Sequence, residues 1–126
     1  MIRKVLIVDD AHSLRFSMEV ILKINGFQTF SAGNGKEALD QIVESQKSGE
    51  CFDLIITDIV MPEMSGIELI ENLDELGIKV KILVITGFLN DEYRERLEDL
   101  GRFSVLEKPF EMEMLIGKVR ESLAAA

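Results

Sequence analysis

Five short aliphatic runs limit most tightly what this chain can fold into. Each is followed by a segment whose apolar residues recur every three or four positions. The runs are Val5–Val8, Phe27–Ser31, Leu54–Ile56, Val80–Ile85 and Phe103–Leu106. A strand covered on both faces reads as a near-continuous apolar run, not as an alternation. The segments between them carry helical stripes: Leu14, Met18, Ile21 and Leu22, then Ala38, Leu39, Ile42 and Val43, then Leu69, Ile70, Leu73 and Leu76. Tyr93, Leu97 and Leu100 follow, and Met112, Leu115, Ile116, Val119 and Leu123 close the series. Five strand–helix units predict an α/β fold of (βα)5 type. Its parallel sheet is doubly wound, with helices on both faces and right-handed crossovers. Asn25-Gly26 and Gly77 read as helix stops, and the polar stretch Ser45–Glu50 reads as a loop.

Size and charge narrow the class. The 126 residues suit a single domain spanning 1–126, with 47% hydrophobic and 29% charged residues, as in a globular chain. A net charge of −9 argues against nonspecific nucleic-acid binding and against an anionic membrane surface. No apolar run approaches the roughly 20 residues of a membrane span. The opening Met1-Ile-Arg-Lys-Val5 enters a strand pattern directly and does not read as a signal peptide. Cys51 is the single cysteine, so no internal disulfide forms; a reducing cytoplasm fits, and the thiol is expected to be a small buried hydrophobe.

The ends of the aliphatic runs carry the chemistry. In a parallel sheet every carboxyl end lies on one edge, and ligands of open α/β sheets bind there. The first run ends on Asp9-Asp10, the third on Asp58, the fourth on Thr86-Gly87 and the fifth on Lys108. Asp58 is followed at once by turn residues, Pro62 and Gly66. Three carboxylates, a hydroxyl and an ammonium therefore reach one rim. Two carboxylates about 4 Å apart near a surface repel by on the order of 4 kcal/mol. Either their pKa values rise or a cation neutralises them. An all-oxygen cluster suits Mg²⁺, which takes one or two carboxylates and keeps several waters. A divalent ion beside a lysine meets the needs of a transferring phosphoryl group, where positioning and charge neutralisation do most of the work. An ionised Asp58 can serve as the nucleophile.

These residues also carry a resemblance. Asp9-Asp10, Asp58-x-x-Met61-Pro62-x-Met64-x-Gly66, Thr86-Gly87 and Lys108-Pro109-Phe110 stand in the order and spacing of a known family, over the whole chain. The sequence resembles the receiver domains of bacterial response regulators, the CheY-like family. The resemblance implies a flavodoxin-like sheet of order 2-1-3-4-5 and a phosphoacceptor switch in a two-component phosphorelay. It implies that Asp58 accepts the phosphoryl group and that Thr86 and Lys108 contact it. It implies Mg²⁺ held directly by Asp10, Asp58 and the main-chain carbonyl of Val60, with Asp9 acting through water. The Lys108-Pro109 bond is expected to be cis. The implied donor is a phosphohistidine on a sensor histidine kinase or phosphotransfer protein. The implied recipient is a downstream effector or a fused output domain, with a homodimer through the fourth helix, fifth strand and fifth helix as a further mode. Such a protein is a regulator that assists its own phosphorylation and dephosphorylation, not a turnover enzyme. It works either alone or as the receiver of a longer protein.

Three positions depart from the family pattern. Val105 stands where Tyr or Phe usually precedes the lysine by three residues, which loosens the expected coupling between Thr86 and the last helices. Phe103 lies on the same strand face but about 6.5 Å back. Val60 and Phe88, two residues past Asp58 and Thr86, form an apolar pair where the hydrolytic water passes, so a long-lived phosphorylated form is expected. Two other classes compete. One is an interaction module that no longer uses phosphorylation. The other is a Mg²⁺-dependent phosphohydrolase, but its usual Asp-x-Asp is missing because Ile59-Val60 follow Asp58. His12 reads as an exposed residue opening the first helix, Arg15 as solvated, and Gly33-Asn-Gly-Lys36 as a turn and not a phosphate loop. Met61 and Met64 read as loop packing, and the charges of Asn90–Leu100 as a solvated helix face.

Overall fold

The structure, a computed structural model, describes residues 2–87, 89–101 and 103–124. Its elements alternate without exception: β1 (Lys4–Val8), α1 (His12–Ile24), β2 (Gln28–Ala32), α2 (Gly35–Ser48), β3 (Leu54–Asp58), α3 (Gly66–Glu75), β4 (Lys81–Thr86), α4 (Asp91–Leu100), β5 (Phe103–Glu107) and α5 (Met112–Ala124). The strands pair in parallel in the order β2-β1-β3-β4-β5, as expected.

Strand pleating divides the apolar runs between two cores. Leu6, Val8, Ile55, Ile82 and Val84 pack under α2, α3 and α4, against Ile42, Ile67, Leu73 and Leu97. Val5, Ile7, Leu54, Ile56, Leu83 and Ile85 pack under α1 and α5, against Met18, Leu22, Leu115 and Val119. Burial on both faces is why these runs lack alternation.

Helix ends follow local chemistry. Asn34 accepts a hydrogen bond from the Glu37 amide at 2.8 Å and opens α2. Ser65 and Glu68 form a reciprocal capping box at the start of α3. Asn90 accepts from the Tyr93 amide at 2.7 Å and opens α4.

Three expectations need correction. Ser45–Ser48 continues α2 and is not loop; Ser45 is buried and donates to the Ile42 carbonyl at 2.7 Å. The stop comes at Gly49, whose φ of +79° is left-handed and cheap only for glycine. Cys51 is exposed, because the chain between α2 and β3 runs over the surface; the Gln46 side-chain amide donates to its sulfur at 3.3 Å. Leu76 is 57% exposed at the C-cap, where α3 has ended, and Ile67 joins the core from the first turn instead.

Candidate functional site

The topology sets β1 beside β3, so the acids that end them meet. One carboxylate oxygen from each of Asp9, Asp10 and Asp58 lies within 4.8 Å of the other two. Asp9 is fully buried, Asp58 is buried, and Asp10 is exposed. The Lys108 ammonium reaches across from the end of β5 and donates to Asp58 Oδ2 at 2.7 Å and to Asp9 Oδ2 at 3.4 Å. Three carboxylates thus face one ammonium, leaving a formal excess of two negative charges.

Each group is held from several sides. Asp9 Oδ1 accepts from the Ala11 amide at 2.8 Å. Asp58 Oδ1 accepts from the Ile59 amide at 2.7 Å, and the Thr57 hydroxyl donates to the Asp58 carbonyl at 2.9 Å. The Lys108 amide donates to the Thr86 carbonyl at 2.9 Å, which ties the lysine to the end of β4. Thr86 is buried at that same edge. The Lys108-Pro109 bond is cis, as expected.

The loop after Asp58 explains the spacing of Pro62 and Gly66. The Met64 amide donates to the Pro62 carbonyl at 2.8 Å, and Glu63 between them has φ 68°. This is the rarer, strained hand of the γ-turn. It folds the loop back so that the Gly66 amide donates to the Ile59 carbonyl at 2.8 Å. A Cβ at Gly66 would collide with the main-chain oxygen of Asp58, so only glycine lets α3 start this close to the acid.

Electrostatics follow from the crowding. Burial, ahead of the neighbouring Asp58 charge, holds Asp9 above the ordinary carboxylate range, although the Ala11 amide and Lys108 pull the other way. Burial also works against the Lys108 ammonium. The hydrogen bond to Asp58 and the charges of Asp58 and Asp9 outweigh it and raise its pKa. The oxygen set is hard and under-neutralised, which fits a small divalent cation.

Residues 5–120 match the family described as response regulator receiver domain. The chain belongs to that receiver family. Among its relatives, the response regulator receiver protein CpdR of Brucella abortus is 32% identical over 124 residues, covering 98% of this chain and 99% of that one. The response regulator MprA of Mycolicibacterium vanbaalenii is 34% identical over 122 residues, but this receiver spans only 50% of its length. The solved structure of the chemotaxis response regulator CheY4 of Vibrio cholerae superposes with a TM-score of 0.83 at 31% identity, covering 97% of this chain and 99% of that one.

The receiver frame locates the remaining expected residues. His12 is the exposed first residue of α1, and Gly33-Asn-Gly-Lys36 forms the turn into α2. Met61 and Met64 pack against the core beneath the loop. Val105 is half-buried, pairs with Val84 across β4 and β5, and shares its core with Phe103. Val60 is 60% exposed, while Phe88 lies outside the described residues. Arg15 is not simply solvated: its guanidinium donates to the Asp9 carbonyl at 2.6 Å. The two are six positions apart, so the contact arises only once α1 has formed and turned the side chain back. Spacing from Asp9 was the only signal in the sequence.

Proposed function

We propose that this receiver is the phosphoacceptor switch of a two-component phosphorelay, with Asp58 as the accepting group. A carboxylate oxygen of Asp58 attacks the phosphorus of a phosphohistidine on a sensor histidine kinase or phosphotransfer protein. The O–P bond forms as the N–P bond breaks. The bonding pair returns to the imidazole nitrogen, which leaves neutral when its other ring nitrogen carries the proton. Lys108 holds the carboxylate in place beforehand and offers its ammonium to a phosphoryl oxygen as charge builds there. Thr86 supplies a hydroxyl to the same group. Asp10, Asp58 and the Val60 carbonyl would hold Mg²⁺, with Asp9 acting through water. Mg²⁺ would neutralise charge on the phosphoryl oxygens.

The observation that carries this reading is the imbalance of charge: three acid oxygens within 4.8 Å of one another against one ammonium at 2.7 Å. Such a set gains from an added cation, and it is arranged for an anion once one is bound.

Partners follow from the approach to the site. His12 opens α1 beside the acid pair, and Phe16, Val20 and Ile24 expose apolar surface at four-residue spacing along that helix. The donor docks over that face. The output passes to a downstream effector or a fused output domain, or to a second copy through α4, β5 and α5. No helix among the described residues is long and apolar enough to cross a membrane, and a cytoplasmic setting fits a kinase donor.

Incubation with acetyl phosphate and Mg²⁺, followed by intact mass measurement, tests the reading. A single stable phosphoryl adduct is expected. Absence of an adduct would support an interaction module independent of phosphorylation, for which Val105 is the motive. Rapid release of many phosphates would support a hydrolase.

A further inference from the structure

The Asp10 carboxylate has no hydrogen bond from any other described residue, although it is the most exposed of the three acids. Something else must aim it. The backbone around it begins a helix with no ordinary cap: Ala11 holds the N-cap position of α1 and provides no side-chain oxygen. The peptide group joining Asp9 to Asp10 is planar, so fixing its C=O fixes the plane from which Asp10 hangs. That C=O is the group that Arg15 Nη1 reaches at 2.6 Å. The other polar groups of Asp9 face elsewhere: its amide donates to the Ala32 carbonyl at 3.2 Å, and its carboxylate oxygens meet the Ala11 amide and Lys108.

Arg15 is well made for this task. Its side chain is half-buried, and Nη1 lies where a Cβ on Gly33 would sit 3.5 Å away. The guanidinium therefore spans from α1 to the turn before α2, across the top of β1. Its planar fork loses less freedom per hydrogen bond than an ammonium would.

We infer that Arg15 is a positioning residue for the cation site: it clamps the Asp9–Asp10 peptide plane and so aims the Asp10 carboxylate. The inference rests on the metal reading above and concerns only how this chain presents its ligands. It makes a prediction whose sign separates it from the obvious alternative. Arg15 is a positive charge beside the cation site, and by charge alone it repels the cation. Were charge its contribution, removing it would tighten Mg²⁺ binding. Positioning demands the opposite, because a loosened ligand binds less well.

The test is a Mg²⁺ titration of the intact chain followed by ¹H–¹⁵N spectra, for the wild type and for Arg15→Ala, Arg15→Gln and Arg15→Lys. Arg15→Ala is expected to weaken Mg²⁺ binding by roughly tenfold. Arg15→Lys keeps the charge and one donor and recovers part of that loss; Arg15→Gln, neutral and shorter, falls between Lys and Ala. Phosphorylation by acetyl phosphate at saturating Mg²⁺ stays within about twofold of wild type, since the defect is in binding and not in the chemical step. If Arg15→Ala does not fold, Arg15→Gln and Arg15→Lys carry the comparison. Unchanged or tighter Mg²⁺ binding in the folded variants overturns the inference. A wild type that takes up no Mg²⁺ overturns the metal reading itself, and this inference with it.

Discussion

At the amino-terminal edge of the sheet, the Lys4 ammonium sits 5.2 Å from the centroid of the Phe30 ring and 5.4 Å from that of Phe52, and donates to the Glu50 carbonyl at 2.8 Å. The Lys4 amide donates to Asp53 Oδ2 at 2.7 Å. At the carboxyl edge it is the Lys108 ammonium that meets an acid, Asp58, at 2.7 Å, and that acid shares its corner with two more. Both edges bring together a lysine and an aspartate from the ends of different strands. At the amino edge Lys4 and Asp53 each have a local partner, and Lys4 has rings beneath it as well. At the carboxyl edge the sum does not close, and the remainder is an excess of negative charge. A buried or half-buried charge is therefore informative only through its balance with its neighbours.

Exchanging the two lysines breaks the comparison most sharply. Lys108→Met is expected to slow phosphorylation by acetyl phosphate roughly 100-fold, the scale of losing one donor aimed at developing charge. Lys4→Met should leave that rate unchanged and cost less than about 1 kcal/mol in urea unfolding, since its gains are one partly exposed pair and ring contacts. Equal effects on phosphorylation would erase the distinction between the edges.

Gly66 offers the next test, because it places α3 against the acid rather than adding charge. Gly66→Ala forces a methyl onto the Asp58 carbonyl. It should lower stability by about 1–3 kcal/mol and displace the amide signals of Asp58 and Ile59. At the amino edge, where Gly49 has no heavy atom within 4 Å of a built Cβ, a substitution meets only the cost of its φ of +79°.

Asp9 sharpens the electrostatic side. Its folded pKa is raised, so the folded chain binds a proton there more readily than the unfolded chain. Stability of the Mg²⁺-free protein therefore falls as pH climbs from the unfolded carboxylate value, about 3.9, through the raised folded value, and stays lowered above it. Asp9→Asn removes that penalty. It should stabilise the Mg²⁺-free chain at neutral pH, with the gain vanishing below the unfolded value, and it should weaken Mg²⁺ binding. Urea melts in a chelator at both pH values check the sign. The smallest effect is kinetic: in the phosphorylated chain Val60→Asn should shorten the half-life about two- to fivefold by giving water a polar partner near the site.

Much of this architecture was legible before any coordinates. Apolar runs without alternation identified strands covered on both faces, and the residues ending them pointed to the edge where Asp9, Asp10, Asp58 and Lys108 meet. What escaped depended on contacts made only in three dimensions. Ser45–Ser48 reads as loop because its residues are polar, yet Ser45 turns its hydroxyl back onto the Ile42 carbonyl and α2 runs on to Gly49. Cys51 has an apolar character that says nothing about the surface path between α2 and β3. Leu76 continues the helical stripe by spacing, but α3 has ended there. Arg15 reads as one more exposed charge, because its partner is a main-chain carbonyl, and backbone groups are invisible to residue patterns.

Trapping the phosphorylated chain with borohydride tests the central claim most directly. The reagent reduces an aspartyl phosphate to homoserine, and peptide sequencing by mass spectrometry then locates the converted residue. After treatment with acetyl phosphate, conversion is expected at Asp58 alone, dependent on Mg²⁺ and absent from Asp58→Asn, with Asp53 untouched. Conversion at Asp9, Asp10 or Asp53, or labelling that ignores both Mg²⁺ and the loss of Asp58, would contradict it.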